Sequence, residues 1–340
     1  MRILKRILIG LFVIIVVLAG VGLLLPRKVH VERSTIIDAP RATVFAVVNS
    51  FKMFNRWSPW QALDPHAEYR YEGPVAGVGA RMSWKGDPKS AGSGSQEITE
   101  SQPPELVRTK LDFGDEGTAV AQLTLAPQGA GTRVTWGFDT DLGMNPVSRY
   151  FGLVFERMIG PDYEKGLANL RKLAEGLPKA DFADLSAEEV DAAPVTVAYV
   201  TASCAKDDQE IAKAIGGAYA QVGKFMAAHK LKQAAAPITI NNRYDDSGYE
   251  FDAAIPLDRA PDGKIPEDSP VRVKQTYAGK AIKAIHRGSY HNMGSTYEKL
   301  MAYAAAHGYE TAGSPWDVYV SDPGNTPEAD LVTHIFLPVR

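Results

Sequence analysis

The chain holds one cysteine in 340 residues, Cys204. A lone thiol excludes an intrachain disulfide and any zinc site built from cysteines, and inside a strand-like stretch it reads as an inert buried side chain. The short motifs of common chemistries are also missing: there is no His-Glu-x-x-His, no Gly-x-Ser-x-Gly and no phosphate-cradling glycine loop. Asp64, His66 and Glu68 lie close together, but their spacing fits no helical metal motif and their loop reads as exposed. No basic arm or arginine-rich patch is present and the net charge is −3, so nucleic acid is not an expected partner. Nothing calls for a metal or a cofactor.

Long disorder is not indicated either, since 45% of the residues are apolar and 23% charged. The length suits two domains of about 150 residues each. The first stretch of note is residues 7–25, 19 consecutive positions without a charged or polar side chain. That is long enough to cross a bilayer core of about 30 Å as a helix. A cleaved signal peptide has a shorter apolar region, and here three leucines and Pro26 follow the small residues, so an uncleaved single-pass anchor over residues 1–28 is expected. Arg2, Lys5 and Arg6 before it against Arg27 and Lys28 after it favour the N-terminus inside. The rest of the chain would then lie on the periplasmic or outer face of the cell membrane.

The last third of the chain carries one strand–helix–strand–strand pattern written twice. The first copy has a strand over 195–203, an amphipathic helix over 208–229 and strands over 237–242 and 249–255. The second opens with a strand pair over 271–277 and 279–287, followed by a helix over 295–307 and strands over 317–321 and 331–337. The helices end alike, MAAH at 226–229 and AAAH at 304–307, and the last strands close as Ala254-Ile255-Pro256 and Phe336-Leu337-Pro338. Two such half-open units pair about a pseudo-twofold axis to bury their apolar faces, and the seam is a natural place for a pocket. Tyr290, Trp316, Tyr319 and His334 are the residues expected to line it. Alternation puts His334 and Phe336 on one face of their strand and Thr333, Ile335 and Leu337 on the other. His334 reads equally as a satisfied seam histidine or a ligand contact, while Glu250 and Asp252 in the corresponding strand are either substitute acids or solvent-facing carboxylates.

The segments 316–323 (WDVYVSDP), 325–328 (NTPE), 333–338 (THIFLP) and 284–290 (AIHRGSY) resemble the gyrase-inhibitor-like effector-binding domains of AraC-type and related regulators, over residues 194–340. The resemblance implies an aromatic-lined pocket for a drug or metabolite, commonly with a central glutamate on the last strand, and some members look like hydrolases. This chain has His334 at the glutamate's position. A histidine titrates near neutrality where a carboxylate stays negative, which favours a neutral or weakly acidic hydrophobic ligand over an organic cation.

Residues 29–177 have a different pattern. An extended segment leads to Asp38-Ala39-Pro40, a helix carrying Val44, Phe45, Val47 and Val48, and a short turn over 51–57. Strands follow at short intervals, over 67–72, 79–84, 93–101, 105–111, 118–127 and 131–138, and a long helix over 146–177 is expected to break near Gly160-Pro161. With 57–60 (WSPW) and 77–84 (GVGARMSW), this α+β arrangement resembles the START-like helix-grip superfamily, in particular its polyketide-cyclase/dehydrase and lipid-transport branch. The resemblance implies a cavity for lipids, steroids or polyketides beneath the long helix. Trp57 and Trp84 are placed in that cavity, although large aromatics on such a scaffold also serve as plain core. Residues 178–193 read as a linker able to start a short helical turn at Ser186. The residues favour binding of a hydrophobic small molecule over catalysis, with a hydrolase or cyclase and a lipid carrier as the other readings.

Overall fold

The apolar run forms one long helix, α1 (Arg2–Leu24), whose C-terminal end meets Pro146, Arg149 and Tyr150. Its side chains are almost all exposed, and over Ile3–Leu24 it is long and apolar enough to cross a membrane. The computed structural model describes residues 2–88 and 90–340, and the chain divides into two bodies, the first running to Asp181 and taking in Ala306–Gly308, the second made of Phe182–Ala305 and Tyr309–Arg340.

The first body continues with β1 (Lys28–Ile37), α2 (Arg41–Val48), α3 (Phe51–Trp57), β2 (Glu68–Glu72), β3 (Arg81–Lys85), β4 (Ser93–Gln102), β5 (Leu106–Asp112), β6 (Thr118–Gln128), β7 (Gly131–Asp141), α4 (Pro146–Gly152) and α5 (Phe155–Glu175). The strands make one antiparallel sheet in the order β1-β7-β6-β5-β4-β3-β2, so the first strand closes against the last. Tyr163, Leu167, Leu170 and Ala174 recur at helical spacing on α5 and are buried, which turns that face onto the sheet core with Val134, Trp136 and Phe138. Leu167 and Leu170 each contribute about 2 kcal/mol by leaving water.

The long helix does not break at Gly160-Pro161. Pro161 lies inside α5, and the break falls at Leu153 and Val154, between α4 and α5. The amides of Arg157 and Met158 both bond to the Val154 carbonyl, so α5 nucleates afresh there. The loop at Asp64 is exposed as expected at Leu63, Pro65, His66 and Glu68, but the Asp64 carboxylate itself is buried and accepts from the backbone amides of Asp87 (2.7 Å) and His66 (3.2 Å). Those bonds hold its pKa below the ordinary carboxylate range, and the side chain organises the turn.

The second body has β8 (Ala187–Ala192), β9 (Thr196–Cys204), α6 (Asp208–Ala228), β10 (Ile238–Asp245), β11 (Gly248–Pro256), β12 (Arg272–Gln275), β13 (Gly279–Arg287), α7 (Met293–Ala306), β14 (Trp316–Tyr319) and β15 (Val332–Pro338). Its eight strands are ordered β12-β9-β11-β10-β14-β15-β13-β8. The duplicated unit is therefore β-α-β-β, and the central β10 and β14 join the copies in antiparallel register, with Thr239 opposite Asp317. Helix α6 starts at Asp207, whose carboxylate caps the amides of Gln209 and Glu210.

Two local expectations fail here for one reason. Residues 271–277 and 279–287 do not form a hairpin: β12 pairs with β9 of the first copy, and β13 takes β8 instead. The stretch over 187–192, expected to be linker with a helical turn, is that edge strand. Glu188 and Glu189 on it pair with Lys283 and Lys280 of β13, so charge matches across the ladder where local capping propensity is weak.

Candidate functional site

Strand alternation gives the second sheet two distinct faces. Val222, Met226, Leu300 and Ala304 of the two helices pack on one of them, against residues such as Phe251, Ala253, Ile282 and Ile335. Among the described residues of this body, no helix packs on the other face. Its registered rows run Asp252, Ile240, Trp316, Phe336, Lys283 and, one step along, Ala254, Ile238, Val318, His334, Ile285.

This helix-free face is apolar and aromatic. Trp316 and Phe336 stack with centroids 4.9 Å apart and planes 2° from parallel, Tyr277 approaches Trp316 at 5.8 Å, and His334 meets the Phe336 ring edge-on at 6.5 Å. Val197, Ile238, Ala254 and Ala281 form the buried floor, whereas Tyr199, Ile240, Val318, His334 and Phe336 stay half-buried and present ring and branched surface outward. The His334 side chain makes no hydrogen bond among the described residues. Burial first, then the nearby Lys283 and Arg287, lower its pKa, which keeps the imidazole neutral near pH 7.

Charges flank the face in satisfied pairs. The Asp252 carboxylate is buried, ion-paired with Lys274 and bonded by Thr201 (2.7 Å) and Asn242 (3.0 Å). Lys274 also lies over the Tyr199 ring at 4.4 Å. Lys283 meets Glu188 at 3.0 Å, and the half-buried Glu250 lies 3.9 Å from Arg243. Asp252 and His334 each precede by four residues the proline that ends their strand, so Asp252, more than Glu250, is the internal counterpart of His334.

The opposite face buries a polar network that the sequence motif did not single out. Tyr297 donates to Asp317 Oδ1 at 2.6 Å, Asn241 Nδ2 donates to Asp317 Oδ2 at 2.9 Å, and Tyr249 donates to Asn241 Oδ1 at 2.5 Å. Beside them Tyr219 donates to the Ile238 carbonyl at 2.9 Å and Thr239 Oγ1 bonds the Tyr319 hydroxyl at 3.1 Å. Full burial pushes the Asp317 carboxyl up to about 6 and raises the Tyr319 and Tyr297 hydroxyls. The available signal was an acidic residue at an interior position of a short apolar strand.

The expected pocket residues therefore fall into two groups. Trp316 and His334 share the helix-free face with Phe336. Tyr319 faces the helices, and Tyr290 packs edge-on against it at 5.4 Å. His286, buried on the same side as Tyr319, is held by Thr296 (2.8 Å) and the Ser289 carbonyl (3.0 Å). Among the described residues no cluster of His, Cys, Asp and Glu is arranged to hold a metal ion.

In the first body the space under α5 is taken up by rings. Trp136 stacks on Tyr163 at 3.8 Å, Trp57 meets Trp136 at 5.1 Å, and Phe54 and Trp60 complete the cluster. Trp57 is fully buried and its indole N–H has no partner among the described residues. Trp84 is half-buried against Phe113 and donates to the Ala91 carbonyl at 3.1 Å. Two shallow clefts lie elsewhere on this body, one of about 250 Å³ lined by Phe51, Tyr71, Pro74 and Arg81 and one of about 210 Å³ lined by Lys28, His30, Arg149 and Leu153.

Residues 28–175 match the family described as polyketide cyclase / dehydrase and lipid transport, and residues 187–340 match the GyrI-like small molecule binding domain. Among solved structures, the EcmrR–DNA complex is similar over 46% of this chain and 57% of that chain, at 20% identity and a TM-score of 0.41. The crystal structure of the EcmrR C-terminal domain is similar over 46% of this chain and 98% of that one, at 18% identity and a TM-score of 0.41. The protein CV1439 from Chromobacterium violaceum is similar over 44% and 99%, at 17% identity and a TM-score of 0.33. The chain thus spans little more than half of the EcmrR chain in the DNA complex. No curated protein matches it.

Proposed function

The chain joins a polyketide cyclase/dehydrase and lipid-transport domain to a GyrI-like small-molecule-binding domain, and from that premise we propose that it is a membrane-anchored binding protein for a hydrophobic, uncharged or weakly acidic small molecule. The binding surface is the helix-free face of the second body. One observation supports this reading: His334, half-buried and without a side-chain hydrogen bond among the described residues, stands next to the stacked Trp316 and Phe336. Aromatic faces would supply affinity by shape and burial, and a neutral imidazole both donates and accepts one hydrogen bond to orient the ligand.

Binding fits this face better than hydrolysis does. A water-activating base must be free to take a proton. Asp252 is committed to Lys274, Thr201 and Asn242, Glu250 lies beside Arg243, and among the described residues no carboxylate is hydrogen-bonded to His334. α1 would act as a single-pass anchor in the cell membrane, with both bodies on the periplasmic or outer side.

The test is native mass spectrometry of the full chain in detergent, before and after organic extraction, with His334→Ala beside it. A species lost on extraction and depleted in the variant would identify the ligand class and place it at this face. A bound species unaffected by His334→Ala and by Trp316→Ala would remove the helix-free face as the binding surface.

A further inference from the structure

Apart from α1, the first body exposes a group of large apolar side chains at one corner. Met144, Val147, Phe151, Leu153 and Met158, before, on and just after α4, are each between 58% and 68% exposed. Singly exposed apolar residues are ordinary, but a cluster of five on neighbouring turns marks a surface meant to be covered.

The corner is fastened to α1. The Arg149 guanidinium is buried and donates to the Leu23 carbonyl at 2.5 Å and the Leu25 carbonyl at 3.2 Å, so it caps the last turn of α1. Tyr150 donates to the Leu18 carbonyl at 2.8 Å. Gly22 makes the approach possible, because a Cβ there would come within 2.7 Å of Pro146 Cβ and 2.9 Å of Tyr150 Cε2. α4 is set from its own start by Asn145, whose side chain accepts from the Val147 amide at 2.9 Å, with Pro146 in the first turn. Leu18 lies about 9 Å along the helix from its end at Leu24. Tyr150 therefore reaches down the side of α1 to about the depth at which amphipathic helices seat in a bilayer, 5–10 Å below the headgroups.

We infer that α4 and the first turn of α5 form a second membrane-seated element, with Val147, Phe151 and Met158 among the acyl chains of the leaflet in which α1 ends. The inference rests on the reading of α1 as a membrane anchor. Its partner is a lipid bilayer, because the patch is continuous with the end of the spanning helix. Lys28, four residues beyond the end of α1, and Arg157, next to Met158, are both exposed and would be free to meet the lipid phosphates. Two contacts at the bilayer, in place of one flexible root, fix how the first body stands on the membrane.

The test uses the full chain in vesicles of phosphatidylethanolamine and phosphatidylglycerol, in a Cys204→Ser background. An environment-sensitive fluorophore is placed at Phe151→Cys or Met158→Cys, at Leu11→Cys within α1, and at Ala130→Cys at the far end of the β6–β7 hairpin. Nitroxide lipids labelled near the top of the acyl chain should remove more than about half of the emission at 151 and 158 and leave 130 unchanged, as expected for side chains at the acyl boundary. Gly22→Leu should abolish quenching at 151 while leaving 11 quenched. Quenching at 11 with none at 151 and 158 would overturn the inference and leave the anchor standing. Blue-shifted but unquenched emission at 151 that depends on protein density would assign the patch to a second copy instead, also overturning it. Absence of quenching at 11 would remove the anchor and the inference together.

Discussion

Tyr219 and Tyr297 occupy equivalent places in the two copies of the second body, each ten residues before the histidine that follows its helix, and each lowers its hydroxyl onto a central strand. The acceptors differ. Tyr219 meets the Ile238 carbonyl and Thr239, whereas Tyr297 meets the Asp317 carboxyl, at the position where the first copy has Thr239. The duplication thus carries a buried acid near its axis, held among the described residues by two donors and no cation, and burial raises its pKa to about 6.

That shift predicts a pH dependence. A folded-state pKa of about 6 lies above the unfolded value of about 3.9, so the folded state holds the proton more tightly than the unfolded state does. The associated stability is fully present below about pH 4 and is lost as pH rises through about 6. Urea midpoints of the wild type and Asp317→Asn should therefore diverge with pH: the wild type loses on the order of 2 kcal/mol relative to the variant between pH 4 and 7. A difference that stays flat over this range would mean that Asp317 is not harder to ionise in the fold.

The edge strand β8 gives a second prediction. Residues 187–192 cover β13, and without them β13 becomes an exposed edge bearing Ala281, Ile282, Ala284 and Ile285. Exposed apolar edges template association. A fragment beginning at Phe182 should remain monomeric, while one beginning at Pro194 should form soluble oligomers or precipitate. Light scattering of the two at equal concentration decides it, and identical monodisperse behaviour would show that β8 is dispensable.

What the sequence made legible was local. The β-α-β-β repeat, the apolar first helix and the amphipathic pattern of α6 all announce themselves within a window of ten to twenty residues, because period and capping act over that range. Alternation alone also separated His334 and Phe336 from Thr333 and Ile335, as the register confirms. The exchange of β8 and β12 between the two copies was not legible: each strand follows the alternation rule equally well beside its sequence neighbour, and only the competition among edges settles the pairing. Tyr319 was grouped with Trp316 because both are aromatic in one motif, yet three residues along a strand place side chains on opposite faces. Asp317 escaped notice because its two donors come from α7 and β10, far away in sequence.

In the first body, Gly166 on α5 sits against the ring cluster, and a Cβ there would lie 2.7 Å from Trp136 Cζ3 and 3.1 Å from Pro59 Cδ. Trp136 cannot yield, being stacked on Tyr163 and packed on Trp57. Gly166→Ala should cost about 1–3 kcal/mol despite the better helix propensity of alanine, as overpacking does. Tyr163→Ala should cost about 3–5 kcal/mol and leave a hole that indole refills, raising the melting temperature of the variant but not of the wild type. A stabilising Gly166→Ala would indicate room under α5 that the ring distances do not suggest.

The sharpest consequence concerns the charge preference of the helix-free face. His334 is kept neutral near pH 7 by burial and by Lys283 and Arg287, so the wild type should bind an uncharged aromatic probe in preference to an organic cation of similar size. Quenching of tryptophan emission, with Trp316→Phe as the control for signal origin, would measure both. Below the ordinary histidine range of about 6.5 the ring gains a proton, and affinity for the uncharged probe should fall as the imidazolium demands water. His334→Glu places a carboxylate beside the stacked Trp316 and Phe336, where it should raise affinity for the cation by about tenfold, equivalent to about 1.4 kcal/mol, and weaken the neutral probe. If His334→Glu leaves the cation-to-neutral ratio unchanged while Trp316→Phe removes the signal, ligands reach the tryptophan without passing His334, and the orienting role assigned to this histidine is wrong.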